Sequence, residues 1–267
     1  MGVSPAVEFE EVRKAFGGRP VLDGFTLTVE AGETIALIGP SGCGKTTALK
    51  LVNRLLDADA GRVLVQGRDV AEEDPISLRR KLGYVIQEGG LFPHWDVLAN
   101  VEVVPRMLGW EEDRRTRRAA EVLAMVNLPA QMFGSRRPRQ LSGGQRQRVG
   151  VARALAADPP VLLMDEPFGA LDAFTRDEMN LLIQEIWMET RKTIVFVTHS
   201  IAEAIFLADR VVVMSARPGR VASIYNIDIP RPRPVHIQTR PDFIERILTI
   251  KAKIDHGRGP AAGVAIT

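Results

Sequence analysis

A nine-residue string, Gly39-Pro-Ser-Gly-Cys-Gly-Lys-Thr-Thr47, limits what this chain can fold into more than any other part of it. Its glycines let the backbone turn several N–H groups towards one point, while Lys45 adds a cation and Thr46 a hydroxyl suited to a divalent metal. A loop of this kind cradles phosphates when it joins a buried strand to the N-terminus of a helix. The flanks meet that condition: Thr34-Ile-Ala-Leu-Ile38 is a short apolar run that predicts a buried strand, and the apolar spacing from Thr46 to Leu56 predicts a helix. The loop alone leaves open which nucleotide is bound and what its energy drives.

Other strings narrow the choice. Leu141-Ser-Gly-Gly-Gln145 opens a second apolar-periodic segment through Val149, Ala152 and Leu155. A helix starting there aims unpaired N–H groups and a positive dipole end at an anion, although the same residues also read as a serine N-cap with a glycine turn. Val161-Leu-Leu-Met164 predicts a buried strand that ends in two carboxylates, Asp165 and Glu166. Thr193-Ile-Val-Phe-Val197 predicts another, with His199 just past its end. Gln87 follows the strand-like Gly83-Tyr-Val-Ile86, and Asp172 closes Gly169-Ala-Leu-Asp172. Taken singly, a surface Gln, a capping Asp and a surface His are ordinary.

In this order the strings resemble ABC-type ATPases, and the roles that follow are what the resemblance implies. Gly39, Pro40, Ser41, Gly42, Cys43, Gly44, Lys45, Thr46 and Thr47 surround ATP, and Ser142, Gly143, Gly144 and Gln145 form the signature that meets ATP from a second subunit. Mg²⁺ is held by Thr46, Gln87 and Asp165; Glu166 orients the attacking water, His199 contacts the γ-phosphate, and Lys45 completes the catalytic set. Asp172 belongs to a loop at the subunit interface. Phe16 stands where the family stacks an aromatic on adenine, and keeps the π-face without the tyrosine hydroxyl.

The implied fold is α/β: a P-loop NTPase with a RecA-like core, a mostly parallel sheet, an N-terminal antiparallel β-subdomain and an inserted α-helical subdomain. The expected division of the 1–267 unit is a core of about 1–87 and 159–225, a helical subdomain of about 88–158 and a tail of about 226–267. Val7 to Val29 reads as two strands around Gly17-Gly18, and Arg62-Val-Leu-Val65 as a strand before a Gln66-Gly67 turn. Glu111 to Met125 is helical and highly charged, with Gly89-Gly90, Pro93 and Pro105 punctuating the approach. Strand and helix then alternate through Ala173–Glu189, Thr193–Val197, Ile201–Ala208 and Arg210–Met214.

Composition excludes several classes. A formal charge of +2 argues against a dedicated nucleic-acid binder, so no nucleic-acid partner is expected. The longest apolar stretches have strand length, and Met1-Gly-Val-Ser-Pro resembles no signal peptide, so a peripheral protein on the cytoplasmic face of the membrane is expected. Cys43 is the single cysteine, which rules out a disulfide framework, and it is expected to be a bystander. The clusters Arg79-Arg80-Lys81, Arg114-Arg115 with Arg117-Arg118, and Arg136-Arg137 with Arg139 read as solvated faces, the last able to add to the field at the signature. Pro230 to Pro234 reads as an extended connector before a short amphipathic helix around Phe243, Ile244, Ile247 and Leu248, without evident chemistry.

The resemblance implies two ATPase subunits paired head to tail, as a homodimer or with a related subunit. They would couple to integral membrane permease subunits and, through these, to an extracytoplasmic substrate-binding protein. Leu51-Val-Asn-Arg54 and the segment from Tyr84 to His94 resemble ATPases of osmoprotectant importers, for glycine betaine, choline and proline. The segment from Val195 to Arg220 is more similar to those of nitrate, sulfonate and taurine importers. The first resemblance is given more weight, because the residues near Gln87 are where a membrane partner docks. The chain ends too early for the paired regulatory domains of some osmoprotectant ATPases, so that regulation is not expected. An exporter or lipid-trafficking ATPase is the nearest rival. A chromosome-maintenance ATPase would need a long heptad coiled coil, a translation-factor ATPase a second cassette, and a small-molecule kinase or GTPase has no use for the LSGGQ string.

Overall fold

Neighbouring strands whose two faces are both buried place every candidate residue of the core. The computed structural model describes residues 4–87 and 90–256; Glu88 and Gly89 next to Gln87, residues 1–3, and residues 257–267 of the expected tail lie outside the described residues. The chain begins with β1 (Val7–Phe16), β2 (Arg19–Val29), β3 (Thr34–Ile38), α1 (Lys45–Val52), β4 (Ala60–Val65), β5 (Arg68–Asp69), α2 (Pro75–Lys81) and β6 (Leu82–Val85). Helices alone follow among the described residues up to Pro160: α3 (Val97–Met107), α4 (Glu112–Met125), α5 (Ala130–Phe133), a 3₁₀ turn at Pro138–Gln140 and α6 (Gly143–Leu155). The rest comprises β7 (Val161–Asp165), α7 (Ala173–Thr190), β8 (Thr193–Val197), α8 (Ile201–Leu207), β9 (Arg210–Met214), β10 (Val221–Asn226), a 3₁₀ turn at Val235–Thr239 and α9 (Pro241–His256).

Two sheets result. An antiparallel one has the order β2-β1-β4-β5, and a six-stranded one the order β10-β9-β3-β8-β7-β6. In the larger sheet β9, β3, β8, β7 and β6 run parallel, and β10 pairs antiparallel to β9. The side-chain period of two divides the buried residues of its strands cleanly. Ala36, Ile38, Leu162, Met164, Ile194, Phe196, Val211 and Val213 face the core shared with α6, α7 and α8. Ile35, Leu37, Val161, Leu163, Val195, Val197, Val212 and Met214 face the core shared with α1 and the antiparallel sheet. A parallel sheet covered on both faces gives continuous apolar runs, which is why these strands are plain in the sequence. Their carboxyl ends point one way, and ligands of such sheets lie beyond that edge.

Several expectations change. The helix after the phosphate loop stops at Val52, short of Leu56, because Arg54 takes a left-handed conformation (φ 53°). Arg79 then donates to the carbonyl oxygens of Asn53 and Arg54, capping that end. It is therefore no merely solvated charge. Neither is Arg115, whose Nε lies 3.0 Å from Glu102 Oε2, nor Arg118, which donates to the Leu155 and Ala156 carbonyls at the end of α6. Pro105 lies inside α3, where it has no N–H to offer the Val101 carbonyl one turn earlier. The tail helix is 16 residues long, and its Phe243 and Ile250 are buried in the main core.

Candidate active site

The phosphate loop leaves β3 and turns into α1 through Gly42 (φ 73°) and Gly44 (φ 99°), a region of backbone space that favours glycine. Crowding forbids a side chain at Gly44 as well, since a Cβ there would approach Leu22 Cδ2 to 2.6 Å. Lys45 is buried, and its Nζ donates to the loop's own carbonyls, at 2.9 Å from Gly39 O and 3.0 Å from Pro40 O. Cys43 is buried beneath the loop, and desolvation pushes its thiol up against the opposing pull of the Lys45 ammonium.

Strands β7 and β8 bring the carboxylates and the histidine to the same edge. Thr46 Oγ1 donates to Asp165 Oδ1 at 2.8 Å. Glu166 follows with φ 47°, a left-handed turn anchored by its N–H donating to Val197 O at 3.0 Å. His199 Nε2 stands 2.6 Å from Glu166 Oε1, and Gln87 Nε2 donates to Glu166 Oε2 at 3.3 Å. Tyr84 on β6 sits against Asp165; burial and then that carboxylate push its phenol up to about 12. A hollow of about 310 Å³ is walled by Phe16, Ser41, Gly42, Lys45, Thr46, Glu166 and His199, with Val21, Gly44, Thr47 and Arg217. Phe16 is 47% exposed there, with Lys14 Nζ over its ring at 5.6 Å from the centroid.

The signature and Asp172 form a separate group, absent from that wall. Ser142 caps α6: its Oγ accepts from Gln145 N at 3.2 Å, and its own N–H donates to Gln145 Oε1 at 3.0 Å. Asp172 caps α7 by accepting from the Thr175 N–H and hydroxyl. The two helix starts touch, for a Cβ on Gly144 would lie 2.5 Å from Thr175 Cγ2. Gly143 and Ser142 are exposed, so the amino end of α6 faces outward.

Two further residues around this edge were not legible. Arg217 reaches the loop from the turn after β9, 175 positions along the chain from the Gly42 carbonyl it bonds. Glu203, buried on α8, accepts from the Thr198 hydroxyl and lies 3.4 Å from Arg176 Nε. No local pattern marks Arg217; Glu203 closes the helix-start string Ser200-Ile-Ala-Glu203, which gives no hint of Arg176. The oxygen donors of Thr46, Asp165 and Gln87 are hard ligands of the kind Mg²⁺ takes together with phosphate oxygens, so these residues fit that ion.

Comparison with known proteins agrees with this geometry. Residues 22–169 match the family model described as ABC transporter. The glycine betaine/carnitine/choline transport ATP-binding protein OpuCA of Bacillus subtilis is 45% identical over 90% of this chain and 66% of its own length. The glycine betaine uptake system ATP-binding protein YehX of Escherichia coli is 41% identical over 94% of this chain and 82% of its own. The chain spans between about half and two thirds of the Bacillus transport proteins that it matches. Among solved structures, the dimeric ATP-binding cassette MJ0796, bound to ADP and Pi after hydrolysis, superposes with a TM-score of 0.73. It is 33% identical over 84% of this chain and all of that one. With a phosphate loop, paired carboxylates and a histidine on one sheet edge and this likeness over most of its length, the chain belongs to the ABC transporter family.

Proposed function

We propose that this chain is the ATP-hydrolysing subunit of an importer of quaternary-amine osmoprotectants. It would work as a head-to-tail pair on the cytoplasmic face of a membrane, joined to permease subunits and through them to a substrate-binding protein. One observation carries the chemistry: Lys45, Thr46, Glu166 and His199 line a single hollow, and Asp165 is hydrogen-bonded to one of them. The names of OpuCA and YehX support the cargo. The chain supplies the motor as a core of about 1–87 and 159–225, a helical insertion of about 88–158 and a tail of about 226–267.

In this reading the adenine stacks on Phe16 and the phosphates enter the loop, where Lys45 exchanges the Gly39 and Pro40 carbonyls for phosphate oxygens. Thr46, Asp165 and Gln87 would hold Mg²⁺, which would supply positive charge against that developing on the phosphates. Glu166, anchored by its N–H on Val197 O and bonded by Gln87, takes a proton from the attacking water. His199 turns from Glu166 to the γ-phosphate. The exposed amino end of α6 in a second copy closes the site, since within one chain it does not line the hollow.

The test is co-purification with its membrane partner and measurement of ATP hydrolysis in the presence of binding protein loaded with glycine betaine, choline or taurine. Stimulation by the quaternary amines alone is expected. Stimulation by the taurine-loaded protein alone, or by none, would remove the cargo reading.

A further inference from the structure

The turn that follows β9 brings a positive charge to the phosphate loop. Residues 215–220 are fastened to the start of β2: Gly219 N donates to Val21 O at 2.8 Å, Asp23 N donates to Gly219 O at 3.3 Å, and Arg220 pairs with Asp23. Ser215 Oγ donates to Pro218 O at 2.9 Å and closes the turn on itself. The turn also touches the loop backbone to backbone, for a Cβ on Gly219 would fall 1.9 Å from Cys43 O. From this fixed base Arg217 Nε donates to Gly42 O at 2.7 Å. Its Nη2 lies 2.8 Å from the point that a Cβ on Gly42 would occupy.

Arg217 differs from the arginines around it. Arg210 is paired with Glu33, Arg220 with Asp23 and Arg231 with Asp209, whereas among the described residues Arg217 forms no ion pair. One of its five N–H donors is spent on Gly42, and the others remain for a partner. The side chain lines the hollow with Phe16, Val21 and the loop residues Ser41 to Thr47, so an uncompensated, forked cation borders the space in which a phosphate chain would lie. Guanidinium matches phosphate oxygens in geometry as well as charge, and a donor already held in place loses little freedom on binding.

We propose that Arg217 is a nucleotide-binding residue, its guanidinium donating to the phosphate chain while the turn from 215 to 220 holds it against the loop. The proposal rests on reading this hollow as the ATP site. It adds a contact from the flank of β3 opposite β8 and β7, contributed by the strand order that puts β9 beside β3.

The experiment measures the affinity of ATP, ADP and adenosine for the wild type, Arg217→Gln and Arg217→Lys over a range of salt concentrations. Losing one charge-assisted contact predicts that Arg217→Gln weakens both ATP and ADP about tenfold while leaving adenosine within about twofold. Its ATP affinity also falls less steeply with salt than that of the wild type. Arg217→Lys, which keeps the charge without the fork, lies between the two and serves as the deciding variant should Arg217→Gln melt at a lower temperature. Unchanged ATP and ADP affinities in both variants, or an equal loss for adenosine, would overturn the proposal and leave the ATPase reading standing. Failure of the wild type to bind ATP would overturn both.

Discussion

Glu203 lies in the first turn of α8, four residues after His199, and is 6% exposed. Burial holds its pKa above the ordinary carboxyl value, with Asp177 and Glu166 adding to that effect and Thr198 and Arg176 opposing it. An acid whose folded pKa is raised costs the folded state more as it ionises, so its contribution to stability is full below the unfolded pKa and declines as pH rises towards the folded one. Glu203→Gln keeps the shape and an acceptor for Thr198 but cannot ionise. Melting temperatures of both proteins from about pH 4 to about pH 8 should therefore diverge, the wild type losing ground to the variant as pH rises. Parallel curves would show that Glu203 does not carry this burden. At this scale the sequence discloses residues that sit in dense local strings. Lys45, Thr46, Asp165 and Glu166 are flanked by their own strands and turns, and they lie together at one sheet edge. Arg217 acts through Gly42, and Glu203 in part through Arg176, partners on other elements that leave no trace beside them in the chain.

Among the elements, α8 depends on a residue that reads as part of a connector. The Arg233 side chain is 1% exposed, and its Nη1 donates to the carbonyls of Ile205, Phe206 and Ala208 at 2.8 to 2.9 Å. Its Nε donates to Ile229 O at 2.9 Å, and its backbone is bracketed by the Gln184 amide of α7. Helix carboxyl ends leave carbonyls without partners and favour cations, so a guanidinium here satisfies both demands at once. Burial and the neighbouring Arg231 bring it down to about 10, which leaves it charged at neutral pH. Arg233→Met would strand those carbonyls in the core and should cost on the order of 3 kcal/mol, read as a lower urea midpoint with faster amide exchange in α8 than in β3. An unchanged midpoint would mean that water replaces the guanidinium. The run from Pro230 to Pro234 reads as an extended connector, but the chain bends at Arg231 and Pro232, and its composition says nothing of what lies on top of it. Similarly, the β-branched run before Pro105 hides α3, whose start is fixed by Asp96 accepting from the Ala99 N–H.

For the whole molecule, the separation between the hollow and the signature sets the assembly. Ser142 to Gln145 stand at the exposed start of α6 beside Asp172, outside the wall that holds Phe16 and Lys45. A complete site in the proposed reading needs two copies, bound to each other through nucleotide. Glu166→Gln preserves the hydrogen-bonding shape while removing the base, so it should bind ATP, lose hydrolysis by about a hundredfold or more, and run at twice the monomer mass in light scattering with ATP but not with ADP. A variant that hydrolyses ATP at the wild-type rate would dismiss the role given to Glu166. The parallel sheet and the order of its motifs were legible because each strand is apolar on both faces; the packing of α9 against them was not, since an amphipathic stripe does not say what it covers. The burial of Cys43 has a practical side as well. With the one native thiol shut away and its ionisation suppressed, a cysteine introduced at Met132, 63% exposed on the helical insertion, would take a spin label or fluorophore almost alone. Each copy would then carry a single beacon, and the distance between two of them would track the opening and closing of the pair through a turnover.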